Sequence, residues 1–166
     1  MTCGSFSGSV PGEVHVAGVT PHPNQAWMMQ IARNLTMEEW GFLAPGQYLL
    51  HDRDRKYCHA FQQIIDNAAV ERVSLPPRSP NVHAYAERWV RSVKEEALSN
   101  MILFGEHSLR YVLNESVDHY HRERHHQGKG NVLLFPPLRA VGEDDSPIQC
   151  HERLGGLLKY YAREAA

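Results

Sequence analysis

LPPRSPNVHAYAERWVRSVKEEAL, residues 75–98, sets the organisation of the chain. Its first half is stiff and turn-prone, with three prolines, and Ser79 or Asn81 stands where a helix cap is needed. The second half predicts a helix over about 82–98. At about 3.6 residues per turn, Ala86, Val90, Val93 and Ala97 fall on one side, a candidate buried face. Glu87, Arg91, Lys94 and Glu95 gather on another, well away from the apolar stripe. Two readings fit that charged face. One is an i,i+4 ion pair between Glu87 and Arg91 on a solvated helix. The other is a carboxylate lining a cleft, with basic neighbours one and two turns on.

Upstream, the apolar run YLL ends in HDRDRKY, residues 51–57. Gly46 precedes this strand, predicted over 47–51, and Asp52 sits just beyond its C-terminal end. Open α/β sheets bind their ligands at that end of their strands. Phe61, Ile64 and Ile65 predict a helix over 58–67, and ERVSL predicts a strand over 71–75. Further back, Trp27, Met28, Ile31 and Leu35 recur at helical spacing over 26–35. EVHVAGVT, 13–20, alternates in the period-two manner of a strand. Residues 1–12 are Gly- and Ser-rich and read as a flexible lead-in. Strands and helices in alternation predict an α/β domain, here over residues 13–137.

Downstream, Leu109, Leu113, Val117 and Tyr120 predict a helix from about 108 to 124. The tail, 138–166, reads as a loop around GEDDSP followed by a short helix through ERLGGLLKYYAREA. His119, His121, His125 and His126, with Cys150 further on, invite a zinc reading, because His121 and His125 share a helical face. No cysteine pair and no glutamate at metalloprotease spacing accompanies them. Cys58 reads as a small apolar packing residue.

The 166 residues suffice for a real core, and a 42% hydrophobic fraction is globular. No apolar run reaches the roughly 20 residues of a membrane helix, and no signal pattern opens the chain. Three cysteines, widely spaced, suit a reducing cytosol. Net charge is −2, yet the span from Asp52 to Lys94 holds eight Arg or Lys against five Asp or Glu. A near-neutral total can therefore hide a basic working face.

Residues 75–98 resemble the segment that carries the last acidic residue in the integrase catalytic core (rve type) of bacterial insertion-sequence transposases, the DDE recombinases. In that family a Ser-Pro-Asn turn leads into a helix reading Asn-Ala-x-x-Glu-Arg-Phe/Trp and then Lys-Glu. Ala84, Glu87, Arg88, Trp89, Lys94 and Glu95 match, and His83 stands where Asn is usual. HDRDRKYCHAF is similar to the family's strand end, HYHRERHHQGKGN (119–131) to its later helix end and loop, and RLGGLLKYYAREAA to the tail of one transposase-like subgroup.

The resemblance implies a ribonuclease-H-like fold and DNA integration or transposition by phosphoryl transfer on DNA. It implies Asp52 and Glu87 as catalytic, metal-binding carboxylates for Mg²⁺ or Mn²⁺, and Asp54 as an outer neighbour of that site. Lys94, Arg91 and Lys56 become contacts to DNA phosphates, while Arg88 and Trp89 support packing. Implied partners are transposon ends and target DNA, with a second copy or an intact transposase subunit, in the bacterial cytoplasm.

The family uses three acidic residues, the first on a strand ahead of the one resembling 13–20. Here the sole acidic residue before Val14 is Glu13. The expectation is an N-terminally truncated core whose sheet is incomplete, lacking its first strands and first catalytic Asp. The strand at 13–20 would lose its neighbour, and the polypeptide alone would be inactive or nearly so. The alternative is a non-catalytic remnant that only binds DNA or an intact transposase subunit.

Overall fold

The computed structural model describes residues 12–51, 54–74, 84–136 and 146–163. The chain divides between Trp89 and Val90 into two compact units.

The first unit is built around a parallel strand–helix–strand motif. Helix α1, Gln25–Leu35, starts where the Asn24 side chain accepts a 2.9 Å bond from the Trp27 amide. That bond satisfies one of the amides a helix start leaves open. Strand β1, Tyr48–His51, leads to helix α2, His59–Asn67, and then to strand β2, Glu71–Ser74. The strands pair in parallel with Tyr48 opposite Glu71 and His51 opposite Ser74. A parallel pair needs a crossover, and α2 supplies it. Met28, Ile31, Ala32 and Leu35 of α1 meet Leu49 of β1 and Phe61 and Ile65 of α2 in one core. Trp27, Ile64 and Cys58 pack against its rim, Cys58 as the small apolar residue expected.

Residues 13–20 differ from the expected strand. Among the described residues, His15 is the one position of this segment assigned to a bridge. Alternation alone does not make a strand, because a ladder needs a neighbour to take its backbone groups. The segment still packs closely: a Cβ on Gly18 would meet Ile31 Cδ1 at 2.8 Å and the Trp27 ring at 2.9 Å. Glycine permits that approach. Among the described residues the sheet of this unit is β1 and β2 alone. The outer strand β2 is guarded by Arg72, whose guanidinium bonds Asp66 at 2.6 and 2.8 Å. Charge of this kind discourages pairing with other chains.

Helix α3, Ala84–Glu96, spans the division between the units. Trp89, Val93 and Ala97 are buried, whereas Val90 is 42% exposed. The buried face is therefore turned from the expected one toward Trp89, whose large ring removes more apolar surface from water than a valine does.

The second unit holds helix α4, Gly105–Arg122, and a C-terminal hairpin of β3, Ile148–Arg153, and β4, Leu158–Arg163. Ala97, Val112, Leu154 and Leu158 form its core, with Leu98, Met101 and Leu103 against them. The hairpin corrects the helix expected in the tail. Leu154, Gly155 and Gly156 all take positive φ (51°, 67° and 91°), which a helix does not accept. Their left-handed turn reverses the chain, and exposure then alternates residue by residue along β4.

Candidate functional site

Two stretches carry the residues expected at the site, the segment after β1 and the exposed side of α3. Asp52 and Arg53 lie outside the described residues, as does the Pro-rich turn with Ser79 and Asn81. Of the loop, His51 ends β1 buried, and its ring lies 4.9 Å from Tyr57. Tyr57 in turn sets its ring edge-on to Phe61, centroids 5.3 Å apart. These contacts tie Tyr57, at the far end of HDRDRKY, to the core.

Asp54 turns onto Lys56. Its carboxylate accepts the Lys56 amide at 3.0 Å and meets the Lys56 ammonium at 3.0 Å. Those two bonds hold the Asp54 carboxyl below the usual carboxylate range. An aspartate that bonds the amide two residues on is a local turn device. Lys56 also lies 5.2 Å from the centre of the Tyr57 ring. The residue expected beside the metal and the residue expected on DNA thus hold each other.

Along α3, Glu87, Arg91, Lys94 and Glu95 are all exposed. The charged face read from the spacing is present, with Glu87 a turn ahead of Arg91 and about two turns ahead of Lys94. Arg88 is exposed as well, and Trp89 is buried, in the packing role expected of it. Among the described residues, none is a hydrogen-bond partner of the Trp89 indole nitrogen.

The histidines do other work. His119 bonds Glu123 at 2.9 Å, and His126 bonds the Tyr120 carbonyl oxygen at 2.9 Å. His121 is pushed down to about 4 by burial, and its ring lies edge-on to Phe135 at 5.2 Å. Among the described residues, no group of three His, Cys, Asp or Glu side chains is placed to share a metal. Of the two carboxylates expected to bind metal, Glu87 lies among the described residues and Asp52 does not. Mg²⁺ binds through one or two carboxylates plus water and phosphate oxygens, so Glu87 would need those further ligands.

A cluster that the spacing did not single out lies in the second unit. Arg153 of β3 bonds Glu123 through Nε at 2.8 Å and Nη2 at 2.7 Å, and Glu115 through Nη1 at 2.9 Å. Burial pushes the Glu123 carboxyl up, but the bonds from Arg153 and His119 outweigh it and leave the group below its ordinary value. Glu115, His119 and Glu123 follow one another at i,i+4 along α4, a signal the sequence did contain. Their cation comes from the hairpin, which was expected to be a helix. This cluster fastens β3 to α4 and serves packing.

These features define an α/β protein with a loop of charge after a strand tip and a helix face mixing carboxylates with cations. Residues 66–132 match the family model described as Integrase core domain. The match takes in β2, α3 and α4, and with them Glu87, Arg91 and Lys94; Asp52, Asp54 and Lys56 precede it. Integrase cores are ribonuclease-H-like, in keeping with the parallel strand pair and its crossover helix. No curated protein and no solved structure matches the chain. No helix among the described residues is long and apolar enough to cross a membrane.

Proposed function

We propose that this chain is a DDE-type integrase-core protein of DNA integration or transposition, of the insertion-sequence kind, with Asp52 and Glu87 as its metal-binding carboxylates. The observation that carries the reading is the integrase-core match across α3, whose exposed side holds Glu87 beside Arg91 and Lys94. Arg91, Lys94 and Lys56 contact DNA phosphates, which are read by charge and carry no sequence information. Asp54 acts from outside the metal, by holding Lys56 in place. A bound divalent ion would supply activation of the attacking oxygen and stabilisation of the leaving one.

Ahead of β1 the only carboxylates are Glu13, Glu38 and Glu39, and none lies in a strand. Two carboxylates do not hold two ions as three do, so this 166-residue polypeptide is a poor catalyst by itself. In a plasmid nicking assay with Mg²⁺ or Mn²⁺, the chain should stay at the no-protein background, and Glu87→Gln should change nothing. Clear metal-dependent nicking that Asp52→Ala abolishes would overturn the claim of inactivity and leave the site assignment standing. Nicking that both variants leave intact would overturn the site assignment.

A further inference from the structure

Residues 36–42, TMEEWGF, leave the end of α1 as a closed loop. At its base the Leu43 amide bonds the Leu35 carbonyl oxygen at 2.8 Å, and within it the Gly41 amide bonds that of Met37 at 2.8 Å. The Thr36 amide and hydroxyl both bond the Ala32 carbonyl oxygen, at 3.1 and 2.9 Å. Leu35 and Leu43 are buried in the core of the first unit. A Cβ on Gly41 would run into the Leu35 and Met37 carbonyl oxygens, so the turn closes only around glycine. The loop is therefore pinned at both ends, and it displays Trp40 at 81% exposure and Met37 at 51%.

A single exposed apolar residue is ordinary; the surroundings of this one say what it would take. The Trp40 indole N–H donates to Glu39 Oε2 at 3.2 Å, which sets a carboxylate at the ring edge. Glu38 and Glu39 are both exposed. From Asn34 to Leu50 they are the only ionisable acids, and that span holds no Lys, Arg or His. Among the described residues, neither carboxylate is in an ion pair. A π-face and two unanswered negative charges thus share one fixed loop.

We propose that this loop docks a basic peptide segment of a partner protein, one arginine lying on the Trp40 ring with its guanidinium shared between Glu38 and Glu39. A cation over an indole face is drawn by the ring quadrupole, and tryptophan is the best of the aromatic residues for it. Arginine suits the site better than lysine, because its planar head stacks on a ring while its N–H fork reaches carboxylates. Met37 offers the apolar stem a polarizable neighbour in the same turn. The two carboxylates repel phosphate, so the loop is separate from the DNA contacts on α3.

At an exposed site each of these contacts is weak, and one arginine should bind with a dissociation constant of about 1 mM. The test is a series of ¹⁵N–¹H spectra of the full chain at low salt, titrated with the capped peptide Gly-Arg-Gly-Arg-Gly. The Trp40 indole signal, assigned by its loss in Trp40→Ser, and the amides of residues 37–41 should shift together. The indole signals of Trp27 and Trp89 should stay in place. The lysine counterpart of the peptide should bind roughly threefold more weakly. Trp40→Ser, and Glu38→Gln with Glu39→Gln, should each weaken binding about threefold or more, read from the amides of the loop. These side chains lie outside the core, and the unshifted amides of α1 and α2 check that each variant keeps its fold. Duplex DNA should leave the loop signals where they are. No shift by about 10 mM arginine peptide, binding that either variant leaves unchanged, equal affinity for the lysine peptide, or loop signals moved by DNA would overturn the proposal.

Discussion

Arg153→Met is expected to destabilise the C-terminal unit by about 3–5 kcal/mol, the usual cost of removing one partner of a buried ion pair. The Glu123 side chain is 6% exposed and takes its strongest bonds from Arg153. Without the guanidinium, that carboxylate stays buried with only His119 to answer it. Methionine keeps the apolar stem, so packing is largely retained and the lost charge dominates. Amides of β3, β4 and α4 should lose hydrogen-exchange protection, while those of α1 and α2 keep theirs. Replacing both partners, Arg153→Met with Glu123→Leu, should recover most of the loss, because no charge is then left buried alone.

The same cluster fixes a dependence on pH. Glu123 titrates lower in the folded chain than its ordinary value. Its contribution is thus present above the ordinary carboxylate range and is lost as pH falls through the folded value. In Arg153→Met the effect of burial prevails and the folded value rises. Acid unfolding of the C-terminal unit should then begin at higher pH than in the parent chain.

Phe61→Ala should cost the first unit about 3–5 kcal/mol. Phe61 is buried among α1, β1 and α2 and supports the Tyr57 ring. It also lines an apolar hollow with Ala17, Trp27, Met28, Ile31 and Leu35. Removing the ring joins a new void to that hollow, and its apolar walls give water little to bond, so the loss falls in the upper half of the range. Hydrogen exchange should show α1 and α2 opening while α4 is unaffected. Because Tyr57 loses its support, the charged turn at 54–56 should also become more mobile.

The helices were legible in the sequence because each has a clean apolar stripe. Met28, Ile31 and Leu35 announced α1, and Phe61 with Ile65 announced α2. Strands β1 and β2 were legible from short apolar runs between turn residues. The hairpin was not, since Leu154, Leu157, Leu158 and Tyr161 also fit a helical spacing. What decides it is the Gly155-Gly156 turn, a hairpin signal overridden by that apolar pattern. Residues 13–20 show the converse failure: a good strand pattern whose pairing depends on a neighbour outside the stretch itself. On α3, counting Val90 as buried gave weight to apolar type and too little to the size of Trp89.

The charged face of α3 was read correctly from spacing, since Glu87, Arg91, Lys94 and Glu95 depend only on helical period. Asp54 and Lys56 pair through a two-residue turn, a local feature that the sequence could have offered but that charge alternation concealed.

Fluorescence anisotropy of a labelled duplex, titrated across salt concentration, tests whether Arg91 and Lys94 on the exposed side of α3 engage DNA. Binding is expected at low salt and should weaken steadily as salt rises. Arg91→Ala with Lys94→Ala should weaken it about tenfold or more and flatten the salt slope by about two contacts. Absence of binding at low salt, or binding whose strength and slope the double variant leaves unchanged, would contradict it.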